Sequence, residues 1–167
     1  MPQAAIIIPF DPMNRTYMVV RSTNWHPVAA FRHKLKGVGG IVEEGEAPEV
    51  AVLRELDEEQ PGWFARVPGT GKRWGEPGTQ VAAVNNLHKA GEATAKDIVW
   101  HVYLAPTDLG LHSFRKARSV ATESTPEVWS LDAIPAEEDC LPGFRDAILL
   151  ARRTIFAAYP SMGFNPA

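Results

Sequence analysis

The chain has 167 residues, 45% of them apolar and 22% charged, the make-up of an ordinary globular domain long enough to bury a core. Its net charge of −3 excludes general attraction to a nucleic-acid backbone, so no stable nucleic-acid binding is expected. Cys140 is the only cysteine, which excludes an internal disulfide and a cysteine-based zinc cluster and favours a reducing, cytoplasmic setting.

The opening MPQAAIIIPF has an apolar run without a basic flank, too short to span a membrane, and it reads as a first strand. No membrane segment or secretion signal is expected. Ala4–Phe10 and Tyr17–Arg21 are rich in β-formers, and the turn-like DPMNR between them predicts a hairpin. Residues 22–36 read as a long loop carrying Trp25, Phe31, Arg32, His33, Lys34 and Lys36. The glycine-rich GVGG at 37–40 reads as a bend leading through Ile41-Val42 into a helix from Ala47 or Pro48 to Gln60. Pro48 suits a first helical turn, where its missing N–H costs nothing.

Residues 61–80 are rich in Gly and Pro and read as a short strand inside a long excursion. Strands are expected at 81–87 and 98–106, with the polar HKAGEATAKD as their connection. A mostly irregular stretch at 107–125 precedes a strand at 127–131. A last helix is expected from Pro142 to Tyr159, where Phe144, Ile148, Ala151 and Ile155 recur at helical spacing and mark a core face. The expectation is one domain over 1–167 of the α/β (α+β) class, a mixed sheet with at least two helices.

The segment from Gly40 to Gly62 is crowded with carboxylates, and Arg54 is its only cation. On a helix, Glu55, Glu58 and Glu59 fall at i, i+3 and i+4 and share one face, whereas Leu53 and Leu56 point away from it. Like charges at that spacing repel. Grouped oxygen donors without Cys or His are the ligands of a hard cation such as Mg²⁺ or Mn²⁺. A solvated acidic helix is the plain alternative.

Gly40, Glu46 after five residues, and Arg54-Glu55-Leu56-Asp57-Glu58-Glu59 after seven more resemble the Nudix box, Gly-x5-Glu-x7-Arg-Glu-U-x-Glu-Glu-x-Gly-U with U a bulky aliphatic. Seven of the nine specified positions match. Pro61 and Gly62 depart from the pattern, and Pro61 should end the helix at Glu59 or Gln60.

The resemblance implies a Nudix-like β/α/β sandwich with the box helix and a C-terminal helix. It also implies metal-dependent hydrolysis of a nucleoside diphosphate linked to another group. Glu55, Glu58 and Glu59 would hold Mg²⁺ or Mn²⁺, with the Gly39 carbonyl as a further donor. Arg54 would pair with Glu46. Glu123 or Glu127 could supply one more carboxylate. Arg21, Arg32 and Lys36 are placed to meet phosphates, and Trp25 to stack a base; a solvated or packing role is the alternative for each. His101, flanked by apolar residues, reads as a strand residue.

The KLKGVGGIVEEGE stretch resembles the entry to the box in Nudix enzymes acting on nucleoside triphosphates, so cleavage to monophosphate and pyrophosphate is the leading expectation. An ADP-ribose or dinucleotide pyrophosphatase, and a Nudix-fold nucleotide-binding module without turnover, are the alternatives. The partner expected is a small nucleotide, not a membrane, and a homodimer is compatible with the sequence.

Overall fold

The computed structural model describes residues 1–59, 87–95, 97–106 and 124–160, with the backbone alone for 56–59. Residues 81–86 of the strand expected at 81–87, the excursion at 61–80 and most of the irregular stretch at 107–125 lie outside the described residues, as do the side chains of Leu56, Glu58 and Glu59 and all of Glu123; Leu87 is described and lies outside any strand.

β1 (Gln3–Asp11) and β2 (Thr16–Ser22) form the expected antiparallel hairpin. Its turn is held by Asp11, a buried residue whose carboxylate accepts from the Met13 and Asn14 N–H groups and from Asn14 Nδ2. These bonds satisfy turn amides that the ladder leaves unpaired, which is the usual work of an Asp at that position.

β1 is buried along Ala4–Asp11, the mark of a strand covered on both faces. On one edge it pairs in parallel with β6 (Ile98–Pro106), from Gln3↔Val99 to Phe10↔Pro106. The other edge is shared: Ala4–Ile7 pairs antiparallel with β4 (Val38–Ile41), and Phe10–Asp11 pairs with β2. β2 also pairs antiparallel with β3 (Leu35–Lys36) and β7 (Ser124–Ser130), and β5 (His88–Ala95) lies antiparallel beyond β6.

Three expectations are corrected here. GVGG is not a bend; Val38–Ile41 is a strand, because glycine lets the chain approach β1 too closely for any side chain. A Cβ on Gly39, whose φ is +154°, would lie 2.0 Å from the Ala5 carbonyl oxygen. The polar 88–97 segment is not a connection; its residues 88–95 form β5. Its outer edge has no partner among the described strands, so Lys89 and Glu92 reach solvent while Ala93 is buried against the core. The 22–36 loop is shortened, since Leu35-Lys36 join the sheet and Ala29–Phe31 form one 3₁₀ turn.

α1 (Pro48–Glu59) and α2 (Phe144–Ala158) cover opposite faces. The period-two alternation of the strands sorts the core into two layers. Ala5, Ile7, Met18, Val20, Tyr103 and Ala105 pack with Ala51, Val52 and Leu53 of α1. Ile6, Ile8, Phe10, Tyr17, Val19, Val102 and Leu104 pack with Phe144, Ile148, Ala151 and Ile155 of α2, as the helical spacing predicted. Cys140 is buried and free, and burial pushes its thiol up to about 11, so it is an inert packing residue. Among the described residues no helix is long and apolar enough to cross a membrane.

The Gly39 contact gives a direct test. Gly39→Ala is expected to lower the unfolding free energy by about 3 kcal/mol or more, since backbone must move to admit one methyl group. Urea unfolding measures this, and a loss under about 1 kcal/mol would show that β4 can lift from β1 freely.

Candidate active site

The acidic helix is aimed by one arginine. Arg54 Nε and Nη2 donate to the two Glu46 carboxylate oxygens at 2.9 and 3.0 Å, a bidentate pair. Arg54 Nη1 donates to Glu55 Oε1 at 3.0 Å, and Nη2 reaches the Ile41 carbonyl at 3.3 Å. Glu46 also accepts from the Glu43 N–H at 3.0 Å, which braces the turn before α1. The side chains of Arg54, Glu46 and Glu55 are 24%, 12% and 17% exposed, so the cluster is largely withdrawn from water. The Arg54 guanidinium holds the Glu46 carboxyl below the usual carboxylate range, and Glu46, with Glu55, raises that of Arg54 further. The expected Arg54–Glu46 pair is present, and Arg54 additionally fixes Glu55.

Gly40, the glycine that opens the motif, has a steric reason. A Cβ on Gly40 would lie 2.5 Å from Glu55 Oε1 and 2.6 Å from its carboxyl carbon. The carboxylate therefore rests on bare β4 backbone, beside Gly39, whose carbonyl the sequence put forward as a metal donor. An oxygen-rich set of this kind fits a hard divalent cation. Among the described residues no three Asp, Glu, His or Cys side chains gather into a cation site. Glu58 and Glu59 lie one turn beyond Glu55 on the α1 backbone.

A cavity of about 420 Å³ adjoins the same glycines. Gly37, Gly39, Gly40 and Ile41 line it from β4 and the residue before it, and Ile6 lines it from β1. Val28 and Phe31 line it from the 22–36 loop, Ile98 and Trp100 from β6, and Leu141, Pro142 and Phe144 from the start of α2. His26, Lys36 and Asp97 are its polar members. His26 and Phe31 meet edge to face, with ring centroids 5.8 Å apart. The size and mostly apolar lining suit the flat portion of a small ligand.

Of the residues put forward for substrate, Lys36 lines this cavity. Arg21 is engaged elsewhere, donating to Glu127 at 2.5 and 3.2 Å and to the His33 carbonyl at 2.9 Å. Glu127, one of the two later carboxylates considered, is thus committed to Arg21 and to Trp129 Nε1. Arg32 donates through Nε to the His26 carbonyl at 2.9 Å, and so helps shape the loop over the cavity. Trp25 is 80% exposed and is not among the lining residues. His101 is a buried strand residue between Lys89 and Gln3. Its imidazole is shifted below its ordinary value by burial and then by the Lys89 charge. Asp97, in the β5–β6 turn, was missed by the sequence reading. Nothing in a polar stretch read as a connection marked it as facing a cavity.

The family model described as NUDIX domain matches residues 1–60, the stretch from β1 through α1. The fold is shared with the solved MutT protein of Methanosarcina mazei Go1, at TM-score 0.56 and 16% identity over 92% of this chain and 94% of that one. It is shared too with a solved ADP compounds hydrolase (TM-score 0.58, 15% identity, 94% of this chain and 74% of that one). Shewanella oneidensis NrtR is likewise similar (TM-score 0.58, 17% identity), this chain spanning 63% of its length. Sequence comparison with curated proteins finds no match. Residues 1–60 thus match the NUDIX domain model, and the fold of the chain is the one these solved structures share.

The Arg54–Glu46 pair carries a pH signature. Because Glu46 is held low in the folded chain, its pairing is fully stabilising above the ordinary glutamate value of about 4.3 and is lost as pH falls through the folded value. Glu46→Gln is expected to cost about 2 kcal/mol at pH 7, with the deficit shrinking below about pH 4. Urea unfolding of both proteins across pH 3–7 is the measurement, and a deficit that does not depend on pH would remove the charge pairing as its cause.

Proposed function

We propose that this chain is a metal-dependent Nudix pyrophosphohydrolase that cleaves a (deoxy)nucleoside triphosphate to the monophosphate and pyrophosphate. The observation that carries this reading is the Glu55 carboxylate, held by Arg54 against Gly40, a glycine that also lines a largely apolar cavity. An acidic helix beside a pocket is what a polyanionic substrate needs if cations are to lie between the two.

In this reading Glu55, Glu58, Glu59 and the Gly39 carbonyl hold Mg²⁺ or Mn²⁺. When bound, such an ion polarises a phosphoryl oxygen and lowers the pKa of water. The chain's own contribution is positioning. Arg54 fixes the Glu55 carboxylate, Glu46 fixes Arg54, and β4 supplies backbone close to both. Lys36, on the cavity wall, adds a positive charge for the phosphates.

The likeness to the ADP compounds hydrolase favours a second reading, with ADP-ribose or a dinucleotide as substrate. Products separate the two: pyrophosphate from a triphosphate supports the first, and AMP plus a sugar phosphate supports the second. A nucleotide-binding module without turnover is the reading left if neither appears.

Glu58→Gln is expected to reduce turnover by about 100-fold or more, the scale of losing an electrostatic stabiliser of the transition state, with unchanged thermal unfolding. Chelation of divalent metal should abolish turnover, and added Mg²⁺ or Mn²⁺ should restore it. Near-normal turnover by the variant would overturn the assignment of these carboxylates to the metal.

A further inference from the structure

We infer that Asp97 is the base-reading residue of the cavity and that it selects a guanine ring, an inference that rests on the nucleotide reading above. Asp97 lies in the β5–β6 turn, where Ala95 pairs with Ile98, and it lines the cavity beside Ile98 and Trp100. Among the described residues its carboxylate makes no hydrogen bond or ion pair. Among the described residues, Glu46 and Glu55 are engaged by Arg54, and Glu127 by Arg21. Asp97 is exposed at the rim of this apolar cavity, where its carboxylate can accept from the donors of a ligand.

The chemistry of the walls narrows those donors. Phe31 and Trp100 present aromatic groups suited to a flat ring, and base stacking on such faces is indifferent to sequence. Discrimination then falls to the polar members. An ionised carboxylate only accepts, and its two oxygens suit two parallel N–H donors. Guanine alone among the common bases offers a ring N–H and an amino group side by side on one edge. Adenine and cytosine place a ring acceptor beside the amine, which repels a carboxylate. Uracil sets its one N–H between two carbonyls. With the base against Asp97, the phosphates can run toward Gly39, Gly40 and Glu55, at the β4 wall of the same cavity.

The test compares guanosine, inosine and uridine triphosphates on the wild type and on Asp97→Asn. Binding of GMP, IMP and UMP without metal is measured by calorimetry alongside. Inosine is guanosine without the amino group, so it isolates the second donor. The wild type should favour guanosine over inosine by about 10- to 100-fold in kcat/KM and in affinity. Asp97→Asn should remove that preference while leaving the melting temperature unchanged.

If the wild type turns over nucleotides without favouring guanosine, or the variant keeps the preference, the Asp97 assignment is overturned and the hydrolase reading stands. If no nucleotide is hydrolysed but GMP binds better than IMP and only with Asp97 present, the assignment stands and the hydrolase reading falls. Failure of GMP to bind at all overturns the assignment.

Discussion

The structure depends on a carboxylate lying where a side chain would otherwise be. Glu55 packs onto the backbone of Gly40, within 2.5 Å of the position a Cβ would take. Burying charge against backbone is costly unless it is paired and hydrogen-bonded. Arg54 meets that requirement by bonding Glu55 with one nitrogen and Glu46 with two others. The spacing of Gly40, Glu46, Arg54 and Glu55 along the chain is therefore a statement about one small solid object. The strand must be bare at Gly40, the turn must return Glu46 to the helix, and the helix must present Arg54 between two acids.

That object is anchored by β1, which is the common member of the sheet. Its early residues hold β4 and its last ones hold β2, while its far edge is taken by β6. Antiparallel pairing with Ala4–Ile7 holds β4 in place, and Gly39 leaves the Ala5 carbonyl the room that a side chain would take. Ile7 and Ala5 beneath it pack with Ala51, Val52 and Leu53, so the same strand that positions β4 also seats α1. Ile6, one residue away, faces the other layer and lines the cavity. Helix, glycine strand and cavity are thus referenced to four consecutive residues of β1, and a shift of register by one would exchange the layers.

Where periodicity was strong, the sequence was readable. The β1–β2 hairpin, β6, α1 and α2 came from apolar patterning and turn residues, and the Arg54–Glu46 pair came from the motif. The misreadings have a common physical origin. β4 is a strand because glycine permits close approach to another backbone, a reason that depends on a partner distant in the sequence. β5 is polar because it lies at the described edge of the sheet, where only Ala93 must be buried. Residues 88–95 carry neither β-branched runs nor clean alternation, so nothing local separates them from a loop. Asp97 inherits that difficulty, since its relation to the cavity exists only once β5 and β6 have paired.

The division of labour in the site follows from where the charges are. Acidic side chains lie on the α1 side of β4, and apolar groups enclose the space reached from β6, the 22–36 loop and α2. A substrate with one flat, weakly charged end and one polyanionic end is matched to such a division, because each end meets the surroundings that cost it least. The glycines of β4 form the boundary. A side chain at Gly40 would displace Glu55, and one at Gly37, just before β4, would press on Ile6, at 2.9 Å from its Cβ. The motif's glycines therefore serve both compartments at once. This explains why a stretch with so little side chain can lie between the charged cluster and the apolar cavity.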